Sequence, residues 1–346
     1  MSHWVTLKPS DHCFEVAEGQ NILAAGLEAG FAMPFSCRQG LCRSCRGSVL
    51  EGQFDFGDVH PAYLNEVDRA KGQAHLCQAT ARSDMVIEVR ELPGIAGVKS
   101  TKVPCRVAKI EPAGPDVTIL HLRLPLNENM MFYAGQHIEF LLPGDKRRAY
   151  SIASKPSLEG VVGLELHVRH TPGGFFTEQV LAKMKERELM KFEGPLGTFT
   201  LRTDSDKPIV MVASGTGFSP LKSMCEAAFE KRVDETRPMT LYWGGRKRSD
   251  LYKLELPESW ARERPNFKFV PVLSEPTPEC AWRGRTGNVH AAVLADMADM
   301  SGVQVYACGA PVMVNAARAE FVGTRQLPED EFFADSFLTE ADKAHS

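Results

Sequence analysis

The sequence predicts a chain of three parts: a small α+β domain, then an all-β domain, then a doubly wound α/β domain. Three observations predict it. Four cysteines cluster early, at Cys37, Cys42, Cys45 and, after 31 more residues, Cys77. Between residues 102 and 205, short apolar stretches recur at regular intervals with Pro and Gly between them, the texture of a small barrel or sandwich. From residue 206 to 340, continuous apolar runs alternate with helical periodicity, as in a parallel sheet covered on both faces. The boundaries read as residues 1–92, a linker over 93–101, then 102–205 and 206–340.

In the first part, His3 to Lys8 and Cys13 to Val16 alternate as strands. Asn21 to Ala29 has helical spacing with Asn21 as its cap. Met85 to Val89 is a closing strand, and Leu92 to Ser100, which holds neither period, is the linker. In the second part, strands are expected at Val103 to Glu111, Val117 to Leu124, His137 to Leu142, Tyr150 to Ala153, Gly163 to Arg169 and Lys191 to Glu193. One helix is expected over Glu178 to Lys185. In the third, the buried run Ile209 to Ala213 leads into Gly215-Thr216-Gly217-Phe218 and then Ser219-Pro220, a cap followed by a proline at the first helical position. Leu221, Met224, Cys225, Ala228 and Phe229 form one apolar stripe on that helix. Further strands are expected at Met239 to Trp243, Lys268 to Leu273 and Val303 to Ala307, with helices near Val289 to Met297 and Val312 to Phe321.

The spacing C-x4-C-x2-C with one distant cysteine wraps thiolates around a [2Fe–2S] cluster, three from one loop and the fourth from elsewhere. This makes Cys37, Cys42, Cys45 and Cys77 the metal ligands. A zinc site is the alternative, but it normally takes two pairs of closely spaced ligands. Disulfides are another, but nine cysteines is an odd number and Met1 to Thr6 begins a strand-like alternation instead of a leader, which argues for a reducing compartment. Cys13 lies outside the spacing and is expected to be a small buried hydrophobe. Hydrophobic content of 43%, charged content of 24% and a net charge of −4 are ordinary for a soluble globular protein and offer nothing to nucleic acid. No apolar run is long enough to span a bilayer, so a soluble, cytoplasmic protein is expected.

In the barrel, Arg148-Ala149-Tyr150-Ser151 at the start of a strand offers, in order, a partner for a pyrophosphate, a flat surface for a ring and a donor to a ring nitrogen. His167-Val168-Arg169 ends another strand. Thr171-Pro172-Gly173-Gly174-Phe175-Phe176-Thr177 leads into a helix whose first amides suit an anion. In the third part, Gly215-Thr216-Gly217 is a strand-to-helix turn fit for close approach of a dinucleotide phosphate, although Pro220 stands where the usual fingerprint has its third glycine. Cys308-Gly309 closes a strand at the carboxyl edge of the sheet, where such folds bind ligands. Arg246, Lys247 and Arg248 follow a strand where an adenosine ribose would lie. They are either acceptors of a 2′-phosphate, selecting NADPH, or a solvated loop.

The stretch from Cys37 to Cys77, with Gly40 at a tight turn and Gly47-Ser48-Val49 after it, resembles a plant-type ferredoxin over the first 92 residues. It departs from many of these in the basic residues Arg38, Arg43 and Arg46. Residues 102–340 resemble the ferredoxin–NADP reductase superfamily. Tyr242-Trp243-Gly244-Gly245-Arg246 and Trp282-Arg283-Gly284-Arg285-Thr286-Gly287 look like stretches of bacterial NAD(P)H–flavin reductases. The resemblance implies a β-grasp ferredoxin domain, a FAD-binding barrel and a nicotinamide-binding domain. It implies that Arg148 pairs with the flavin phosphate, Tyr150 lies against the isoalloxazine and Ser151 bonds near N5. Gly174 and Thr177 would hold the pyrophosphate, and His167 and Arg169 would line the site. Gly215, Thr216 and Gly217 would receive the nicotinamide dinucleotide, with Cys308 and Gly309 beside the carbon that gives up hydride and Ser151 and Cys308 as the catalytic pair. Phe332 to Phe337 resembles the terminal segment near the flavin, making Asp335 and Phe337 further candidates, and Leu338 to Ser346 extends beyond it. Reductases with this domain order commonly use NADH. The expected activity is an NAD(P)H-dependent oxidoreductase passing electrons through FAD and the cluster to a separate oxygenase or dehydratase component. The alternatives are a stand-alone flavin or quinone reductase and a carrier without catalysis.

Overall fold

The computed structural model describes residues 2–92 and 100–337; residues 93–99 of the expected linker and the extension after Phe337 lie outside them. The described chain forms two compact units, residues 2–92 with 197–199, and residues 100–196 with 200–337.

The first unit runs β1 (His3–Lys8), β2 (Cys13–Val16), α1 (Ile22–Glu28), β3 (Arg46–Glu51), β4 (Phe54–Asp55), α2 (Glu66–Ala70), β5 (Gln73–His75), β6 (Thr80–Ala81) and β7 (Met85–Glu88). Its main sheet has the order β2-β1-β7-β3-β5. β1 and β7 pair in parallel, while the other pairs are antiparallel. Alternation decides which side chains enter the core: Val5, Leu7, Phe14, Val16, Met85 and Ile87 turn inward against Ile22 and Leu23 of α1. Asn21 caps α1 as its side chain suggests, accepting from the Ala24 amide at 2.8 Å. Cys13 departs from expectation. It is exposed, on the outward phase of β2, with its sulfur 3.2 Å from Thr6 Oγ1.

The second unit opens with β8 (Thr101–Pro112), β9 (Val117–Arg123), β10 (His137–Leu142), β11 (Lys146–Ser151), β12 (Gly163–Arg169) and β13 (Leu189–Leu196). The sheet order is β11-β10-β13-β8-β9-β12. A bridge between Ile152 and Leu166 joins its two ends, closing a barrel around Phe140, Phe176, Phe192 and aliphatic neighbours. Two expectations are corrected. Arg148 to Ser151 ends a strand instead of starting one, because β11 begins at Lys146 directly after the Pro143–Asp145 turn. The helix expected over Glu178 to Lys185 starts earlier and is irregular: a wide turn at Phe175–Val180 passes into a tight one at Leu181–Lys183. The apolar pull of Phe176 and Leu181 on the barrel core places it there.

The chain continues through β14 (Ile209–Ser214), α3 (Phe218–Glu230), α4 (Val233–Thr236), β15 (Met239–Gly245), α5 (Glu255–Glu263), β16 (Phe267–Leu273), β17 (Arg285–Thr286), α6 (Val289–Asp296), β18 (Gln304–Gly309), α7 (Pro311–Arg325) and β19 (Phe332–Ser336). These strands form an all-parallel sheet of order β17-β16-β15-β14-β18-β19. Strand order reverses between β14 and β18, and the crevice at such a reversal is where open α/β sheets receive ligands. The stripe Leu221, Met224, Cys225, Ala228 and Phe229 is buried as its spacing requires. Ser219 is not the cap of α3, however. A short turn at Gly215–Gly217 runs straight into the helix at Phe218, and the Ser219 hydroxyl is used elsewhere.

Candidate functional site

The four cysteines come together in the first unit. Cys42, Cys45 and Cys77 are buried and Cys37 is half-buried. The loop that carries three of them is shaped by positive φ at Arg38, Gly40 and Arg43. At Gly40 any side chain would also press on Val59 and Gln78, so glycine is required there. Cys77 stands two residues after the end of β5, and this stretch is tied to the loop: Leu76 donates its amide to Cys45 O at 3.0 Å, and His75 Nδ1 donates to Gly40 O at 2.7 Å. Burial pushes the His75 imidazole down to about 4, so it is neutral and serves as a brace.

Among the described residues no three His, Cys, Asp or Glu side chains converge on a single-ion site. The cysteines stand instead as two pairs, Cys37 with Cys42 and Cys45 with Cys77, each sharing a hydrogen bond between sulfurs. That bond holds Cys42 down to about 5 and lowers Cys77, while it raises Cys37 and Cys45. Amides also point at sulfur, from Cys37 N to Cys42 at 3.4 Å and from Gln39 N to Cys37 at 3.3 Å. Two thiol pairs with N–H groups aimed at their sulfurs suit a two-iron cluster with two thiolates per iron. The arginines of the loop tie it to its surroundings. Arg46 pairs with Asp68 at 2.6 Å and bonds Gln73, Arg43 donates to Ala62 O, and Arg38 lies over the Phe35 ring at 4.4 Å.

In the second unit, Tyr150 packs edge-on to Phe140 and against Phe176 at a centroid distance of 4.9 Å. Arg148 lies two residues before it on the same face of β11, with Nη1 on Arg147 O at 2.7 Å. Ser151 is buried at the strand end. Gly174 is close to Thr177: a Cβ there would stand 2.7 Å from Thr177 Oγ1, which is held on Thr171 O and Gly174 O. The Gly173 amide is already taken by Glu178 at 2.6 Å.

His167 is buried on the outer face of β12 with both ring nitrogens engaged, Nε2 donating to Glu165 at 2.7 Å and Nδ1 accepting from Tyr252 Oη at 2.7 Å. Burial keeps the imidazole neutral against the pull of Glu165. Burial also pushes Glu165 up, but the His167 hydrogen bond and the charge of Lys222 outweigh it and hold this carboxyl down to about 2. Arg169 reaches out of the barrel: Nε donates to Asp116 at 2.8 Å, and Nη1 lies 2.6 Å from where a Cβ on Gly215 would be. Gly215 has φ +54 and is held by Trp243 Nε1 on its carbonyl at 2.9 Å.

Thr216 is buried, and a side chain at Gly217 would collide with the carbonyl of Cys308. Ser214 Oγ accepts from the Ala310 amide at 3.0 Å, and Gly309, at φ +133, has no room for a Cβ beside it. The glycine turn and the end of β18 are thus in van der Waals contact at the sheet's reversal point. Cys308 is fully buried, and burial together with Asp335, its neighbour across β19, keeps it a protonated thiol. Phe337 donates its amide to Gly309 O at 2.9 Å. Arg246 faces a cavity of about 440 Å³ with Asp116, Lys247, Asp250 and Glu275. Asp250 accepts from the Arg246 and Lys247 amides at 2.9 and 3.1 Å.

Three family models cover the chain in the same order: a 2Fe-2S iron-sulfur cluster binding domain over residues 5–82, an oxidoreductase FAD-binding domain over 104–201 and an oxidoreductase NAD-binding domain over 211–319. A CDP-6-deoxy-L-threo-D-glycero-4-hexulose-3-dehydrase reductase of Yersinia pseudotuberculosis is 38% identical over 98% of this chain and 99% of its own. The chain belongs to the iron–sulfur flavoprotein reductases of the ferredoxin–NADP reductase type. The phenol 2-monooxygenase reductase component of a Pseudomonas species is 35% identical over 99% of this reductase and 97% of its own length. The Amycolatopsis cytochrome P450 reductase GcoB matches the fold with a TM-score of 0.76 at 31% identity, covering 97% of this chain and 98% of that one. The reductase is therefore an NAD(P)H-dependent oxidoreductase with [2Fe–2S], FAD and nicotinamide domains. No helix of the described residues is long and apolar enough to cross a membrane.

Sequence reasoning missed Glu165, Tyr252 and Lys222. A carboxylate two residues before His167 on the same strand face was the available signal for Glu165; nothing local marks the other two.

Proposed function

We propose that this reductase takes hydride from NADH and delivers single electrons to a separate oxygenase or dehydratase component in a reducing, cytoplasmic setting. The three domains are taken as residues 1–92, 102–205 and 206–340, with a linker over 93–101. One observation carries the reading: the helix that follows the glycine turn is hydrogen-bonded to the end of the Arg148–Ser151 strand, Ser219 Oγ to Ser151 O at 3.1 Å. Nicotinamide and flavin sites built on these two motifs share one place. When bound, the groups supply hydride, its division into single electrons and one-electron carriage. Arg148 and Thr177 hold the FAD phosphates, Tyr150 covers the ring and Ser151 directs a donor at its edge. His167 steadies the seam with α3 through Glu165, which faces Lys222. Arg169 lies over the glycine turn, which with Thr216 and Gly309 receives the dinucleotide. Cys308, neutral and dry, shapes the nicotinamide end.

NADH is favoured because Asp250 already occupies the two amides after β15, and Asp116, Asp250 and Glu275 outnumber Arg246 and Lys247 in the cavity. The full-length likeness to reductase components of oxygenase and dehydrase systems supports the choice of acceptor.

Cys77→Ala tests the electron path. This variant should lose or destabilise the cluster while NADH still bleaches the flavin at a near-parental rate and ferricyanide is still reduced. Cytochrome c reduction should fall steeply. Undiminished cytochrome c reduction, under anaerobic conditions without added flavin, would mean that electrons leave from FAD and would favour a stand-alone flavin reductase.

A further inference from the structure

The polar face of α3 makes two contacts beyond the Ser219–Ser151 bond already described. Ser219, Lys222 and Ser223 are three and four residues apart and so share one side of the helix. Each reaches a main-chain carbonyl of a single barrel segment. Ser219 Oγ donates to Ser151 O at 3.1 Å, Lys222 Nζ to Ala153 O at 3.1 Å and Ser223 Oγ to Ser154 O at 2.6 Å. The segment continues directly from Arg148, Tyr150 and Ser151, and the helix continues directly from Gly215, Thr216 and Gly217.

Lys222 is the central member. Its side chain is only 8% exposed, and its ammonium also faces Glu226 at 3.1 Å and Glu165 at 3.6 Å. Glu165 is anchored in turn through His167 to Tyr252. Burying charge is costly, and apolar side chains would join two surfaces at lower cost. What a polar face adds is direction: three donors meeting three carbonyls within four residues fit in one register only. Hydride transfer is sensitive to such register, since a misplacement of about 1 Å lowers a rate on the order of a hundredfold.

We propose that Ser219, Lys222 and Ser223 form a positioning clamp that sets the approach of nicotinamide to flavin, and with it the rate of hydride transfer. These are positioning residues, and the proposal rests on the assignment of Arg148–Ser151 to FAD and of Gly215–Gly217 to the dinucleotide.

The test is anaerobic stopped flow on the full-length, cofactor-loaded chain carrying Lys222→Met. Flavin and iron content should match the parent, and the NADH concentration giving half the maximal rate should stay within about twofold. The limiting rate of flavin reduction should fall roughly ten- to a hundredfold, and the long-wavelength charge-transfer absorbance between nicotinamide and flavin should weaken with it. Ser223→Ala and Ser219→Ala should each give a smaller loss of both. A parental limiting rate and charge-transfer band in Lys222→Met would overturn the clamp. If Lys222→Met loses FAD or fails to fold because Glu165 and Glu226 lose their buried cation, the Ser219→Ala/Ser223→Ala double variant decides, and a parental rate there overturns it equally. Failure of NADH to reduce flavin in the parent would instead sink the functional reading on which the clamp rests.

Discussion

The cluster loop and the flavin–nicotinamide site are built on opposite plans. Three of the four cluster cysteines come from nine consecutive residues, and the fourth is attached by the short ladder from β5 to the loop. Its parts sit close in sequence, so loop conformation at Arg38, Gly40 and Arg43 sets its geometry. The dinucleotide machinery proposed above draws on β11, β12, the glycine turn, the loop after β15 and the end of β18, more than 150 residues apart at the extremes. Its geometry depends on close packing between distant backbones. A local site tolerates change elsewhere in the chain, whereas a dispersed one is broken by a single methyl group at a contact.

Gly217→Ala should break that contrast most sharply. The added Cβ meets the backbone carbonyl of Cys308, which cannot swing aside as a side chain would. Overpacking of this kind costs about 1–3 kcal/mol and forces backbones apart. Reduction of FAD by NADH should fall on the order of a hundredfold or more, while the electron paramagnetic resonance signal of the dithionite-reduced cluster stays parental. Near-normal flavin reduction would show that the approach of the glycine turn to β18 is not needed for hydride transfer.

The same contrast explains what the sequence made legible. Residue type and spacing alone single out Cys37, Cys42, Cys45 and Cys77, which the fold brings into two neighbouring pairs, because a thiolate array is a local pattern. Strand alternation located β1, β2, β10 and β12 to the residue, and continuous apolar runs located β14 and β18. The wide turn at Phe175–Val180 starts before the helix that periodicity predicts, because Phe176 and Leu181 answer to the barrel core more than to helical periodicity. Ser219 read as a helix cap because capping is the commonest local use of a serine before a proline; its carbonyl partner lies 68 residues away and has no local signature. Lys222 and Tyr252 were invisible for the same reason. Their partners Glu165 and His167 come from another sheet.

Arg148→Ala sharpens the comparison within the dispersed site, since it removes a charge without disturbing backbone packing. A hydrogen bond from a charged donor to phosphate contributes about 1.5–3 kcal/mol. FAD affinity should therefore drop roughly ten- to a hundredfold, measured as flavin retained through gel filtration, with the cluster spectrum unchanged. Retention as firm as the parent's would move the pyrophosphate away from β11.

The smallest effect expected is at Asp250, and it bears on whether the rim of the dispersed site also obeys local rules. The carboxylate is nearly buried, accepts from the Arg246 and Lys247 amides and lies 3.8 Å from Arg246 Nε. On the proposed placement of the nucleotide, it fills with negative charge the place where a 2′-phosphate would seek these same donors. Asp250→Asn keeps an oxygen for the amides and removes the charge. The ratio of kcat/KM for NADH to that for NADPH should fall roughly two- to fivefold, the effect of one partly exposed charge interaction of about 0.4–1 kcal/mol. The change should come from a lower KM for NADPH, because the ribose end is remote from the reacting carbon and alters binding before chemistry. Steady-state kinetics with both nucleotides on the parent and the variant check this. An unchanged ratio would remove Asp250 from nucleotide choice and leave it as a brace for the loop after β15. A fall in kcat with both nucleotides would mean instead that this loop is coupled to the position of the glycine turn, and that even the rim of the site behaves as part of the dispersed assembly.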